Sequence, residues 1–220
     1  MKPQRSKAVA AASPVTKSPA RPGTAPAAVR ITGGQYKRTP IPVASKPGLR
    51  PTPARVRETL FDWLGHDLSG WRCMDAFAGT GALGFEAASR GAAQVLMVEQ
   101  DAALVLKLKA VQAKLQASMV QIERGDGLSS LQRQSPHSLH LVLLDPPFDE
   151  ALFGLAQRQA LLRAAAQAIA AQGYAYLESP VPWADAPLLE CGWVLHRHLK
   201  AGAVHAHLLK PNPVAGLQTL

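Results

Sequence analysis

Four apolar, β-prone stretches in this chain each run into a carboxylate: RCMDAFA from residue 72, QVLMVE from 94, MVQIERGD from 119 and LHLVLLD from 139. Helical patterns lie between them. GALGFEAASR follows the first stretch, and Asp101 is placed to cap a helix with Leu104, Leu108, Val111 and Leu115 on one face. Residues 150–171 read as an Ala- and Leu-rich helix, and GYAYLES reads as a further strand. This alternation admits few folds. Parallel neighbouring strands need crossover connections, so an α/β fold is expected, with a mostly parallel sheet covered on both faces. The end departs from the pattern. WVLHRHLKAGAVHAHLLK reads as two strands around Ala201-Gly202, an antiparallel pair that closes the sheet.

A length of 220 residues suits one sizeable domain with a real core, and 47% apolar content is that of a globular protein. No apolar run is long enough to cross a bilayer, and no short apolar secretory segment is evident at the front. Cys73 and Cys191 are the two cysteines, which excludes a disulfide framework or zinc spacing and fits a reducing cytoplasm. The net charge of +9 is unevenly placed. Residues 1–57 carry 12 of the 24 Lys and Arg and no acid, while the rest carry 12 against all 15 acids. The front of the chain is therefore suited to phosphates.

Residues 1–28, with eight alanines and five prolines, offer little to bury and read as a disordered basic arm. The prolines also oppose the amphipathic helix of an organelle transit peptide. Residues 29–68 are expected to form a hairpin and a helix, and 69–220 the main domain. VRITGGQYKRTPIPV has two β-prone arms around Gly33-Gly34, a pair suited to a tight turn, and carries Arg30, Lys37 and Arg38. In GLRPTPARVRETLFDWL, Thr52 is a candidate N-cap and Pro53 fits the first helical position. Val56, Leu60 and Leu64 make the buried stripe. Arg55 and Arg57 lie off it, free to face a ligand or water.

In DAFAGTGALGFEA, Gly79, Gly81 and Gly84 match G-x-G-x-x-G, with Glu99 following 20 residues after Gly79. Alone this fits a nicotinamide dinucleotide site or a plain strand-to-helix turn. Asp75, four residues before Gly79, shifts the reading. A carboxylate there repels a pyrophosphate and suits a ligand with a cationic end. S-adenosylmethionine is such a ligand. Glu99 would accept from its ribose hydroxyls, and Asp126 from the exocyclic amine of its adenine.

HLVLLDPPF sets a carboxylate and a double proline at the end of a buried strand. Prolines lack N–H groups and fix φ, so the carbonyls of Asp145 and Pro146 are free to face outward. The Asp145 carboxylate and the Pro146 carbonyl can take the two hydrogens of a planar exocyclic amine. They favour a pyramidal nitrogen whose lone pair is aimed at a methyl donor. Phe148 can stack on the base.

DAFAGTGALGFEA with VEQ, RGDG and DPPF resembles the Rossmann-like class I S-adenosylmethionine-dependent methyltransferases that modify exocyclic amines. RITGGQYKRTPIPV, PGLRPTPARVRETLFDWL and DPPF, in that order, resemble the bacterial 16S rRNA guanine-N2 methyltransferase family that acts on guanine 966. The likeness runs from about Val29 to Lys210. It implies a seven-stranded, mostly parallel sheet with an antiparallel C-terminal strand, methylation of a guanine N2 amine, and a monomer acting on 16S rRNA in the small ribosomal subunit or an assembly intermediate. Carried over by position, Asp75, Gly79, Gly81, Glu99 and Asp126 would bind the cofactor, with Phe77, Gln100 and Gly127 in the same segments. Arg50 and Thr52 would lie near its methionine end. Asp145, Pro146, Pro147 and Phe148 would hold the target base, and Arg30, Lys37, Arg38, Arg55 and Arg57 the RNA. The extended basic arm is outside the family pattern.

An adenine-N6 DNA methyltransferase shares the Pro-Pro-aromatic cluster, but those enzymes usually carry a target-recognition domain for which 220 residues leave no room. A nicotinamide oxidoreductase has no use for Asp75 or DPPF. His196, His198, His205 and His207 recur in pairs along two strands and are read as a half-exposed sheet face, not a metal site. Trp183 and Trp193 are read as packing under the last strands.

Overall fold

The computed structural model describes residues 28–44, 46, 51–149, 151 and 153–213. Nearly all of the arm, Arg50 and the last seven residues lie outside that set.

The alternating pattern forms a seven-stranded sheet of β3 (Arg72–Asp75), β4 (Gln94–Glu99), β5 (Val120–Arg124), β6 (Leu139–Leu144), β7 (Ile169–Ser179), β8 (Trp193–Ala201) and β9 (Val204–Pro211). The order is β5-β4-β3-β6-β7-β9-β8. Strands β3 to β7 pair in parallel, and β9 runs antiparallel to both β7 and β8. Strand order reverses between β3 and β6, which opens a crevice at their C-terminal ends.

Two cores cover the sheet. On one face Val56 and Leu60 of α1 (Ala54–Trp63), Phe85 of α2 (Ala82–Ser89) and Leu108 of α3 (Ala102–Leu115) pack on Cys73, Leu141 and Tyr176. On the other, Leu131 of α4 (Gly127–Gln132), Leu161 of α5 (Leu155–Ala168) and Leu188 of α6 (Asp185–Glu190) pack on Met74, Val142 and Leu177. Asp101 caps α3 as its position implies, its side chain accepting from the Ala103 and Leu104 amides. Helix α5 is shorter than the expected 150–171, because the chain passes straight into β7 at Ile169. Helices α4 and α6 have six residues each, too few to show a helical period in the sequence. Trp193 is buried, its indole N–H donating to Leu162 O at 2.8 Å, and Trp183 is buried beside it. Cys73 and Cys191 are buried free thiols.

The front segment departs from expectation in three places. Strands β1 (Ala28–Arg30) and β2 (Pro40–Pro42) pair antiparallel, but the nine residues between them are no tight hairpin turn. Gly33 and Gly34 instead press against the end of α2. A Cβ on Gly34, which has φ of 71°, would sit 1.8 Å from Ser89 O, and the Gln35 amide donates to that oxygen at 2.7 Å. The glycines are there for close approach. Second, Thr52 is not an N-cap. Pro53 occupies that position without a side-chain bond, and the Thr52 hydroxyl donates to Glu178 at 2.8 Å.

Third, Arg57 does not face ligand or water. It is 1% exposed, and its guanidinium lies 2.8 Å from Glu86 of α2, with further bonds to Thr52 O and Arg30 O. Glu86 is fully buried and also accepts from the Thr32 amide and hydroxyl, the Gly33 amide and Arg90. Arg90 in turn lies over the Phe61 ring at 4.6 Å. Removing one member of such a network leaves uncompensated buried charge. Glu86→Ala is expected to destabilise the protein by about 3–5 kcal/mol in urea unfolding, while the exposed Glu58→Ala changes stability by less than about 0.5 kcal/mol.

Candidate active site

Each of the five parallel strands ends in or next to an acid, at one edge of the sheet. Asp75 closes β3, Glu99 closes β4, Asp126 follows β5, Asp145 follows β6, and Glu178 lies at the end of β7. Glu178 was not among the expected residues, although GYAYLES carries the same strand-then-acid signal as the other four. The register places Asp75 beside Leu143, and Leu144 beside Leu177. Strand alternation then sets Asp75, Asp145 and Glu178 on the face that α1 covers, Asp145 beside Glu178 and Asp75 one row back, level with Leu143.

The glycine loop wraps this edge. Gly79 and Gly81 have φ of 52° and 82°, and Gly81 is the N-cap of α2. A Cβ on Gly81 would meet the Phe85 ring at 2.6 Å, so a side chain there is excluded by both conformation and space. Gly84 allows α2 to settle on β4, where a Cβ would lie 2.9 Å from Met97. The Gly79 amide donates to Glu99 at 2.9 Å, and the Asp101 amide to the other Glu99 oxygen at 2.8 Å. Glu99 is thereby fixed in orientation with lone pairs still open.

Asp126 caps α4, accepting from the Ser129 amide and hydroxyl, and Gln100 donates to its second oxygen at 3.0 Å. Gly127 passes so close to the loop that a Cβ would lie 2.2 Å from Ala76 O. Phe77, next to it, meets Phe153 edge-on at 5.5 Å.

Asp75 is the most telling group. It is 1% exposed. Its Oδ2 accepts from the Gly84 amide at 2.9 Å, and its Oδ1 is buried with no partner among the described residues. Burial above all, with Glu99 and Glu178 nearby, pushes its carboxyl up to about 7. Asp145 is raised well above the ordinary carboxylate range by burial and by Glu178 and Asp75. Glu178, 3% exposed, is raised by burial against the opposing pull of two hydroxyls. Thr52 and Tyr176 both donate to its Oε1 at 2.8 Å. Beyond Asp145, Pro146 is buried, Phe148 is half-buried and the Pro147 carbonyl lies 3.5 Å from the Arg158 guanidinium.

A groove of about 680 Å³ leads away from Thr52, lined by Arg30, Thr32, Lys37, Arg38 and Glu58. Arg30, Lys37 and Arg38 are exposed there, and Arg55 is exposed on α1. Arg57 lines the groove only with its buried flank. The histidines gather on β8 and β9. His198 and His205 share a 2.9 Å ring contact and His207 packs on His198, while His196 turns to Tyr174. Among the described residues no group of three or more such side chains is arranged to hold a metal ion. Among the same residues no helix is long and apolar enough to cross a membrane.

A seven-stranded sheet of this order, with a glycine loop after its first central strand and an acid at the tip of the next, defines a class I methyltransferase. The likeness to known proteins is more specific. Residues 29–210 match the family model described as conserved hypothetical protein 95. The ribosomal RNA small subunit methyltransferase D of Escherichia coli strain K12 is 40% identical over 177 residues, 80% of this chain and 86% of that protein. Its namesake from Haemophilus influenzae is 37% identical over 186 residues, 82% of this chain and 92% of that one. The solved structure of the methyltransferase yhhF from Escherichia coli gives a TM-score of 0.69 at 38% identity, covering 84% and 98% of the two chains. The chain belongs to this methyltransferase family.

S-adenosylmethionine is the methyl donor of the class, and the residues present fit it. The orphaned Asp75 Oδ1 suits an ammonium and repels a phosphate, which removes the nicotinamide alternative.

Asp75 also carries a stability cost. Its ordinary value is 3.8, so between pH 4 and 7 the native state holds a proton that the unfolded chain has released. Stability then falls as pH rises across that window, by at most roughly 4 kcal/mol, and changes little below it. Asp75→Asn is expected to flatten this fall in urea unfolding at pH 5 and 7.5, and to abolish S-adenosylmethionine binding in calorimetry. A variant with the wild-type pH slope would contradict the assignment.

Proposed function

We propose that the chain methylates the exocyclic N2 amine of a guanine in 16S ribosomal RNA, guanine 966, with S-adenosylmethionine as donor. The observation that carries this reading is the Asp145-Pro146-Pro147-Phe148 turn on the same sheet edge as Asp75, Glu99 and Asp126. The names of the relatives supply the substrate class, and the basic groove beside Thr52 supports it.

In this reading Asp75 holds the methionine ammonium, with Thr52 at that end. Glu99 takes the ribose hydroxyls. Gln100, Asp126 and Gly127 border the adenine, and Phe77 packs beside it. The bound donor supplies an electrophilic methyl group. Asp145 and the Pro146 carbonyl accept the two amine hydrogens and hold the nitrogen lone pair in line, with Phe148 stacked on the base. Pro147 keeps the turn rigid. Arg30, Lys37, Arg38 and Arg55 meet phosphates of the surrounding strand. The basic residues 1–28 precede a binding module of 29–68 and a catalytic domain of 69–220. The enzyme works as a cytoplasmic monomer on the small subunit or an assembly intermediate.

The direct test is tritiated-methyl transfer to small subunits from cells lacking the gene, with the modified base mapped. Label on a guanine N2 is expected; label on an adenine or on DNA would overturn the reading. Asp145→Ala is expected to lose methyl transfer by roughly 10³-fold or more, with S-adenosylmethionine affinity little changed. Lys37→Ala with Arg38→Ala is expected to weaken RNA binding and to lower the salt dependence by about two counterions.

A further inference from the structure

Glu178 has no part in the reading above, yet it is buried within the site. It is the residue next to Leu177, as Asp145 is next to Leu144, and those two leucines pair in parallel strands. The two carboxyls are therefore cross-strand neighbours on one face. No Lys, Arg or His side chain is bonded to either among the described residues. What Glu178 has instead is two hydroxyls, from Thr52 and Tyr176, on one oxygen. Asp145 has no such donors among the described residues.

We infer that Asp145 and Glu178 work as one carboxyl pair that shares a single proton, with Glu178 as the positioning residue that carries the charge. This rests on the assignment of Asp145 to the target amine. Two adjacent buried carboxyls do not both ionise readily, so the pair keeps one negative charge. The hydroxyls favour that charge on Glu178, which leaves the resting proton on Asp145. During transfer the nitrogen–methyl bond forms and the sulfur–methyl bond breaks, with the electron pair staying on sulfur. The nitrogen then carries a surplus proton. The pair accepts it, passing from one proton to two, and later releases it to water. A lone Asp145, raised by burial and without those hydroxyls, would hold the proton more tightly and return it to water less readily.

The charged and titratable groups around Glu178 are few. Asp145 flanks it on β6, with Asp75 beyond on β3. Tyr176 lies on its own strand, and Thr52 comes from the segment before α1. Arg57 of α1 is engaged by Glu86 and the Thr52 carbonyl. On β9, Ala206 faces Glu178, while His205 and His207 belong to the opposite sheet face.

The test is the pH dependence of kcat for methyl transfer to small ribosomal subunits, using the full chain. Glu178→Gln leaves Asp145 as the one acceptor, without the hydroxyl donors that favour the charge, so the acidic limb is expected to move up by roughly one pH unit, with the plateau lowered roughly tenfold; a downward move would mean that Asp145 acts alone beside a charged Glu178 and would overturn the pairing. The KM for S-adenosylmethionine should change little. Tyr176→Phe keeps both carboxyls and removes one donor, so its acidic limb should also move up. Limbs at the wild-type position in both variants would overturn the pairing. Asp145→Ala separates the two ideas. If it is inactive while both limbs stay put, only the pairing fails; if it remains active, the role of Asp145 itself fails.

Discussion

The Glu86 carboxylate is where three parts of the chain meet. The loop after β1 supplies two amides and a hydroxyl, α1 supplies Arg57, α2 supplies Glu86 and its C-cap residue is Arg90. A carboxylate without partners could not be kept at that depth, and neither could either guanidinium. The network therefore works as a lock between the front segment and the sheet. Its position along α2 matters. That helix starts at Gly81 in the cofactor loop and reaches Ser89, where the glycines of the front loop dock. One helix thus references both the cofactor end of the site and the basic groove.

The acid edge of the sheet obeys a different electrostatic rule. Where Glu86 is neutralised by arginines, Asp75, Asp145 and Glu178 gather without a bonded cation among the described residues. Burial above all, with like-charged neighbours added for Asp75 and Asp145, raises their proton affinities and costs the unliganded fold stability. A ligand with a fixed positive centre relieves it. In the proposed reading Asp75, which weakens the fold near neutral pH, is also the group that meets the donor, so stability and binding pull on the same carboxyl.

Much of this was legible in the sequence. The strand and helix order follows from alternating periodicity, and the Asp101 cap from one acid placed before an apolar face. The acid edge is legible because a carboxylate ending a buried strand needs a reason to be there. What was not legible depends on partners distant in sequence. Arg57 reads as a free cation because Glu86, which claims it, lies 29 residues away on another helix. Thr52 has the chemistry of a cap, and nothing local reveals that Glu178 takes its hydroxyl. Gly33-Gly34 has turn chemistry, and only packing shows that Ser89 is the cause. Glu178 was a lapse of a different kind, since its own strand displays the signal used for its four counterparts.

The placement of β9 has a consequence for how the enzyme comes into being. Strand β8 joins the sheet only through β9, which is made after it. Until residues 204–211 emerge, the outer side of β7 is an unpaired edge, and Glu178 lacks the neighbour that shields it from water. The pairings that hold the glycine loop and Asp75 do not involve this strand, whereas Glu178 has its β9 neighbour, Ala206, only through it. Completion of the site is thus tied to the pairing of β9 with β7.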